Sequence, residues 1–342
     1  MRLNKNNMDI SNLRDKILGV FYGVAIGDAM GMPTTFLSRS EIKNKFGFVN
    51  DFLTAPMEGS VHSRLVRGEY TDDTELTYMI ADSIISKGFV DPEDVAKKLV
   101  KWADDNDILN TTLIGPSTRM AIKNLKSGVS YKITGKNGTT NGCAMKISSI
   151  GIFDLFSDNE KTVNDVINAC LCTHNTAVAI SGGAAIAFAV KSAASGNKSL
   201  SEIYDASLLG SDLGAKFMGE PEKSISSRIA GAYNIAKSTS SIDSFLDSLY
   251  DFLLKPDGAL TEDAVPAAIS IFLKSGGNFE NAILMACNLG GDSDTIGGMV
   301  GAISGAYNGL ARIPEKWVKT IDESARRDIR ELGGKFLNAM QI

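Results

Sequence analysis

Glycines at positions 19, 23, 27 and 31, and again at 297, 301, 305 and 309, recur every four residues in two apolar stretches near opposite ends of this 342-residue chain. Four-residue spacing places each set along one face of a helix. Each glycine costs a helix about 1 kcal/mol relative to alanine, and close backbone packing compensates that cost. The two ridges are therefore expected to be packing surfaces. If they bring their helices together, Asp28 in the first and Asp294, just before the second, share one neighbourhood.

Helical apolar spacing extends over residues 13–26, 75–87, 94–103, 117–126, 162–172, 176–194, 228–237, 242–254, 263–274, 279–289, 296–310 and 325–340. Strand alternation is confined to two short candidates, 46–53 and 129–133. The expected fold is all-α, a single large orthogonal helical bundle-like domain, because no Pro-, Ser- or charge-rich linker divides the periodic segments. Residues 1–12 read as a polar N-terminal extension. The net charge of -5 gives no basic field for nucleic acid. The start lacks the apolar core of a signal peptide and no apolar run reads as a membrane span, so the expected location is cytoplasmic. Four cysteines without a CxxC pair fit a reducing compartment.

Two acidic clusters carry the chemistry: Thr71-Asp72-Asp73-Thr74 and Gly290-Gly291-Asp292-Ser293-Asp294-Thr295. Helix capping is the simpler reading, with Thr71 as one N-cap and Ser293 or Asp294 as the other. Capping does not require paired aspartates plus threonine at both places. Crowded carboxylates repel unless a proton or cation intervenes, and hard oxygen donors suit Mg²⁺ or Mn²⁺. If the clusters face each other, Thr71, Asp72, Asp73, Asp292, Asp294 and Thr295 surround a central two-metal cleft.

Two further stretches read as ligand-handling loops. The run from Thr134 to Lys146 alternates glycine with small hydroxyl and amide groups, leaving backbone N–H groups for phosphate or ribose oxygens, although a plain flexible loop has the same composition. Thr173-His174-Asn175 precedes the helix at 176–194, and one of its hydroxyl or amide side chains is expected to cap that helix. No Gly-x-Ser-x-Gly or paired Cys and His suggests a side-chain nucleophile. The residues favour hydrolysis in which a metal orients a polar substrate and a carboxylate helps activate water.

In order along the chain stand Gly27-Asp28-Ala-Met-Gly31, Tyr70-Thr71-Asp72-Asp73-Thr74, Gly115-Pro-Ser-Thr118, Asn141-Gly-Cys-Ala-Met-Lys146, Thr173-His174-Asn175 and Asn288-Leu-Gly-Gly-Asp292-Ser-Asp294-Thr295. This set resembles the ADP-ribosylglycohydrolase family, which includes the dinitrogenase reductase-activating glycohydrolase and the ADP-ribosylserine hydrolases. The resemblance implies an ADP-ribosylglycohydrolase-like domain over residues 13–342, two Mg²⁺ or Mn²⁺ ions, and cleavage between ribose C1″ and an ADP-ribosylated acceptor. It also implies Asp73 and Asp292 as catalytic residues, the six cluster residues as metal ligands, and Gly115, Ser117, Asn141, Gly142 and His174 as substrate-binding.

The sequence departs from the family pattern at Thr35, where a glutamate is common, and at Lys146, where arginine is common. Asp28 is retained, as support for the site rather than as the missing acid. The expected activity is Mg²⁺-dependent removal of ADP-ribose from a protein or small-molecule acceptor, with an arginine N-glycosidic linkage favoured over serine. The rivals are a non-catalytic ADP-ribose-binding relative and a metal-dependent hydrolase of another ADP-ribosyl or nucleotide compound.

Overall fold

The computed structural model describes residues 9–53, 62, 65–219, 225–254 and 258–340. Among the described residues seventeen α-helices run in order: α1 (Ile10–Gly31), α2 (Arg39–Phe46), α3 (Asp72–Lys87), α4 (Pro92–Asp105), α5 (Pro116–Lys126), α6 (Tyr131–Thr134), α7 (Ser148–Phe153), α8 (Asn159–Cys170), α9 (Ala177–Ala194), α10 (Leu200–Met218), α11 (Ile225–Ser238), α12 (Ile242–Leu253), α13 (Thr261–Lys274), α14 (Phe279–Cys287), α15 (Ser293–Asn308), α16 (Glu315–Ser324) and α17 (Ile329–Ala339). Among the described residues the β-type pairing is one isolated antiparallel bridge, Thr140 to Leu260. Both candidate strands are corrected: residues 47–53 are irregular and 131–134 form a helical turn. The first helix begins earlier than the expected residue 13, at Ile10, capped by Asp9 accepting from the Ser11 N–H.

Helices α1 and α15 pack closely against each other and run antiparallel. A Cβ added to Gly19, Gly23 or Gly27 would lie 2.3, 2.1 or 1.9 Å from the carbonyl oxygens of Gly305, Gly301 and Gly297 respectively. Side chains cannot fit between backbones that close, so the glycines set the distance between the two helices. The last glycine of the second ridge packs against Gly19, 2.9 Å from an added Cβ there, but from beyond the end of its helix. Gly309 lies outside α15 as its C-cap at φ 76°, and Gly31 instead faces Ser293, whose oxygen would be 2.1 Å from an added Cβ.

A second close pair joins α9 and α10. A Cβ on Gly210 would lie 2.4 Å from the Ala184 oxygen, and one on Gly214 2.8 Å from the Ile180 oxygen. Those glycines interrupt the apolar period, which is why α10 is not legible as a helix, although the capping box of Ser199 and Glu202 marks its start. The expected helix at 325–340 begins only at Ile329, with Asp328 as its cap. Helix α16 precedes it. Residues 10–34 and α9 are each long and apolar enough to cross a membrane, which corrects the reading that no such run exists, but they are packed inside the helical stack. All four cysteines are buried and free.

Candidate functional site

The buried ends of α1, α3 and α15 meet, because the glycine register brings Gly31 against Ser293. Asp28 lies at that junction, and its carboxylate accepts from the Thr71 N–H at 3.0 Å, the Thr74 N–H at 3.2 Å and the Thr74 hydroxyl at 2.6 Å. It therefore fixes the start of α3. Thr71 caps that helix by accepting from the Asp73 N–H, as the capping reading expects, but its hydroxyl also donates to Asp73 Oδ2 at 2.9 Å. On the other cluster capping accounts for part of the arrangement, since Asp294 Oδ1 accepts from the first-turn N–H of Thr295 at 2.9 Å. The N-cap of α15 is Asp292, and its side chain makes no cap hydrogen bond. Ser293 turns toward α1 and donates to the Gly31 oxygen at 3.0 Å, while Asp292 and Asp294 on either side line a cleft.

The two clusters are in contact. The Thr295 hydroxyl donates to Asp73 at 3.0 and 3.2 Å, and Asn141 Nδ2 donates to Asp292 Oδ2 at 2.5 Å. His62 Nε2 lies 2.9 Å from Asp294 Oδ2. Asp72, Asp73, Asp292, Asp294, Thr295, Asn141, Gly142, Gly115 and His174 line one cleft of about 260 Å³. Thr71 stands behind Asp73, and Ser117 stands one residue back, accepting from the Thr140 hydroxyl at 3.2 Å. Neither of these two lines the cleft.

Burial, then repulsion from Asp294, pushes the Asp73 carboxyl up to about 7. Burial followed by neighbouring carboxylates raises Asp28, Asp72 and Asp292 well above the usual range. Burial works in the same sense on Asp294, but the hydrogen bond and charge of His62 outweigh it and hold that carboxyl below its ordinary value. Burial opposes charge on His62, and the Asp294 carboxylate outweighs it and raises the imidazole. Carboxylates buried together with so little compensating charge fit a divalent cation in their chemistry, as hard oxygen donors. Among the described residues they do not already close into a cage of three acidic, histidine or cysteine groups.

The sign of the resulting pH dependence follows. With a folded value near 7 against an ordinary 3.8, Asp73 keeps in the fold a proton that the unfolded chain has released. That contribution is full at low pH and is lost as pH rises through about 7, and the other raised carboxyls add to the loss. Thermal melts of chelator-treated protein should therefore show stability falling between about pH 5 and 8, with added Mg²⁺ restoring it most at the upper end. A melting temperature independent of pH across that window would contradict the assignment.

The glycine loop is folded around His174 rather than free. A Cβ on Gly142 would lie 2.4 Å from His174 Cε1, and one on Gly138 2.2 Å from the Thr173 oxygen. Its N–H groups are partly used internally: Gly138 donates to Gly135 and Asn141 to Ala259. Lys146 is buried and donates to the Thr173 hydroxyl at 2.7 Å. Burial and this ammonium push the His174 imidazole well below its ordinary value, leaving it neutral. Its Nε2 pairs with Thr140 at 3.0 Å, and its buried Nδ1 has no partner. The helix cap expected from Thr173 or Asn175 is Thr176, which accepts from the Ala179 N–H.

Thr35 does not enter the cleft in place of a glutamate. It is buried and accepts from the Asp294 N–H at 3.2 Å. The next residue, Phe36, lines the cleft with φ 62°, a conformation costly outside glycine and held by its N–H donating to the Gly291 oxygen at 2.7 Å. Sequence reasoning missed Phe36 and His62. Histidine occurs twice in the chain, and that scarcity was the available signal for His62.

Residues 9–342 match the sequence profile of the family described as ADP-ribosylglycohydrolase. The chain belongs to the ADP-ribosylglycohydrolase family. It is accordingly a glycosidic-bond hydrolase. It is 32% identical over 301 residues to the uncharacterised protein YegU of Escherichia coli (strain K12), covering 87% of this chain and 89% of that one. It is 28% identical to the ADP-ribosylarginine hydrolase Tri1 of Pseudomonas putida (strain GB-1), over 90% of this chain and 74% of that one. A solved ADP-ribosylglycohydrolase-related protein complex superposes with a TM-score of 0.67 at 23% identity, over 97% of this chain and 99% of the other, and shows the same fold.

Proposed function

We propose that this family member removes ADP-ribose from an arginine side chain, with two Mg²⁺ or Mn²⁺ ions held among Asp72, Asp73, Asp292, Asp294, Thr71 and Thr295. The observation that carries the reading is the meeting of two acidic clusters, 222 residues apart at the Asp73–Thr295 hydrogen bond, in one cleft. Divalent ions supply there the positive charge that the carboxylates lack and polarise sugar hydroxyls and water.

The chain's own groups supply the rest. Asn141 fixes Asp292, Thr71 and Thr295 hold Asp73, and Asp28 anchors the helix that carries it. Asp73 and Asp292 are the carboxylates positioned to accept a proton from the attacking water. Neutral His174 lines the cleft beside Asn141 and the Gly142 backbone, where the ADP-ribose would lie. Water oxygen bonds to C1″ as the C1″–N bond breaks, and the departing guanidine nitrogen takes up the proton. Guanidine is a weaker base than a serine alkoxide and therefore the better leaving group, so arginine asks less of a general acid.

Preference for arginine draws support from the similarity to Tri1 and from Thr35, which is engaged with Asp294 and offers no carboxyl to the cleft. The test is ADP-ribose release from arginine-, serine- and free-nucleotide-linked substrates, each with Mg²⁺ and with chelator. Release from ADP-ribosyl-arginine should be at least roughly tenfold faster than from the serine conjugate, about 1.4 kcal/mol in barrier. Equal or faster cleavage of the serine conjugate would overturn the linkage preference, and release unaffected by chelation would overturn the metal.

A further inference from the structure

Beside the main cleft lies a smaller pocket of about 100 Å³ that shares Asp72 and Leu113 with it. Its walls include Tyr70, Glu75 and Trp102, and Glu75 and Trp102 also line an open groove on the outer side, of about 260 Å³. The three spaces thus lie side by side from the acidic clusters to the surface. Asp72 and Glu75 lie three residues apart in the first turn of α3 and face the same pocket. Asp72 belongs to the set assigned to the metals, and Glu75, on which the charges of Arg326 and Arg327 act, is the carboxylate left for a ligand in this pocket. Tyr70 is 7% exposed and its buried hydroxyl has no partner. A buried hydroxyl without a partner costs free energy unless a ligand completes it.

The Glu75 carboxylate, a buried phenol oxygen and an indole make a cation site of a particular kind. A planar guanidinium donates to several oxygens at once and stacks on an aromatic face, whereas a compact metal ion has no use for the indole. We propose that this side pocket seats the guanidinium of the ADP-ribosylated arginine, with its aliphatic arm leading past Trp102 into the outer groove, where the acceptor chain lies. The inference rests on the arginine reading above and adds its specificity-determining residues, Glu75, Trp102 and Tyr70. The chain's own Arg326, exposed at the pocket and held to Asn106 Oδ1 at 3.4 Å, carries the same head group and competes for the seat.

Calorimetry on the Mg²⁺-loaded protein separates the two levels, using ADP-ribose for the main cleft and agmatine, an alkylguanidinium, for the side pocket. Wild-type protein should bind both together. Glu75→Gln and, independently, Trp102→Leu should each weaken agmatine by roughly tenfold, the loss expected for one charge-assisted contact, and leave ADP-ribose affinity unchanged. Arg326→Ala should tighten agmatine. Binding of ADP-ribose without any binding of agmatine would overturn the proposal while leaving the parent reading intact, as would agmatine affinity indifferent to both variants. Loss of Mg²⁺ stoichiometry in Glu75→Gln would reassign the pocket to a metal. Failure of the wild type to bind ADP-ribose would instead remove the parent reading.

Discussion

Gly301→Ala should leave little or no folded protein. The added methyl would lie 1.9 Å from the Gly23 oxygen and 2.5 Å from its carbonyl carbon, so backbone rather than a movable side chain opposes it. Relief requires α1 and α15 to separate, and that opens every other contact along the ridge at once. We expect a destabilisation above about 4 kcal/mol, the range reserved for a disrupted core or a strained backbone. Gly298→Ala is the control on the same helix. Its nearest neighbour is the Val24 oxygen at 3.8 Å, ordinary contact distance. There alanine should be neutral or stabilising by up to about 1 kcal/mol, the helix-propensity difference. Denaturant midpoints of the two variants check the pair. A Gly301→Ala protein within about 1 kcal/mol of wild type would mean that the ridge does not set the interhelical distance.

The same ridge explains what was legible in the sequence and what was not. Glycines every four residues gave the two central helices and, with Asp28 and Asp294 at their ends, the place where the site forms. The acidic clusters could be recognised because two aspartates beside a threonine exceed what a helix cap needs. Their register could not be read. That Gly31 meets Ser293 rather than Gly297 follows from the antiparallel three-dimensional alignment, which spacing along one chain does not fix. Helix α10 was hidden for a related reason, since Gly210 and Gly214 break the apolar period on the face where they admit α9. His62 and Phe36 carry no local pattern. One reaches Asp294 from a loop, and the other lines the cleft only because residues 36–37 exchange backbone hydrogen bonds with Gly291. Contacts made by tertiary closure leave no periodic trace.

Asp292→Ala separates the functional reading of the second cluster from capping. A cap residue replaced by alanine costs about 1 kcal/mol. Asp292, although it is the N-cap of α15, makes no side-chain cap hydrogen bond. Its carboxyl instead lies in the cleft, where burial and then the charges of Asp294 and Asp73 raise its pKa. In chelator near pH 8 the variant should therefore be as stable as the wild type or more so, because a buried, repelled carboxylate has been removed. Added Mg²⁺ should stabilise it much less than wild type. ADP-ribose release should fall by more than about a hundredfold, since even an outer partner of a metal ligand can be worth that much. Melts with and without Mg²⁺, run beside a single-turnover assay on ADP-ribosyl-arginine, read all three. A destabilised variant that keeps full activity and the wild-type response to Mg²⁺ would return Asp292 to the role of a helix cap and take the second cluster out of the chemistry.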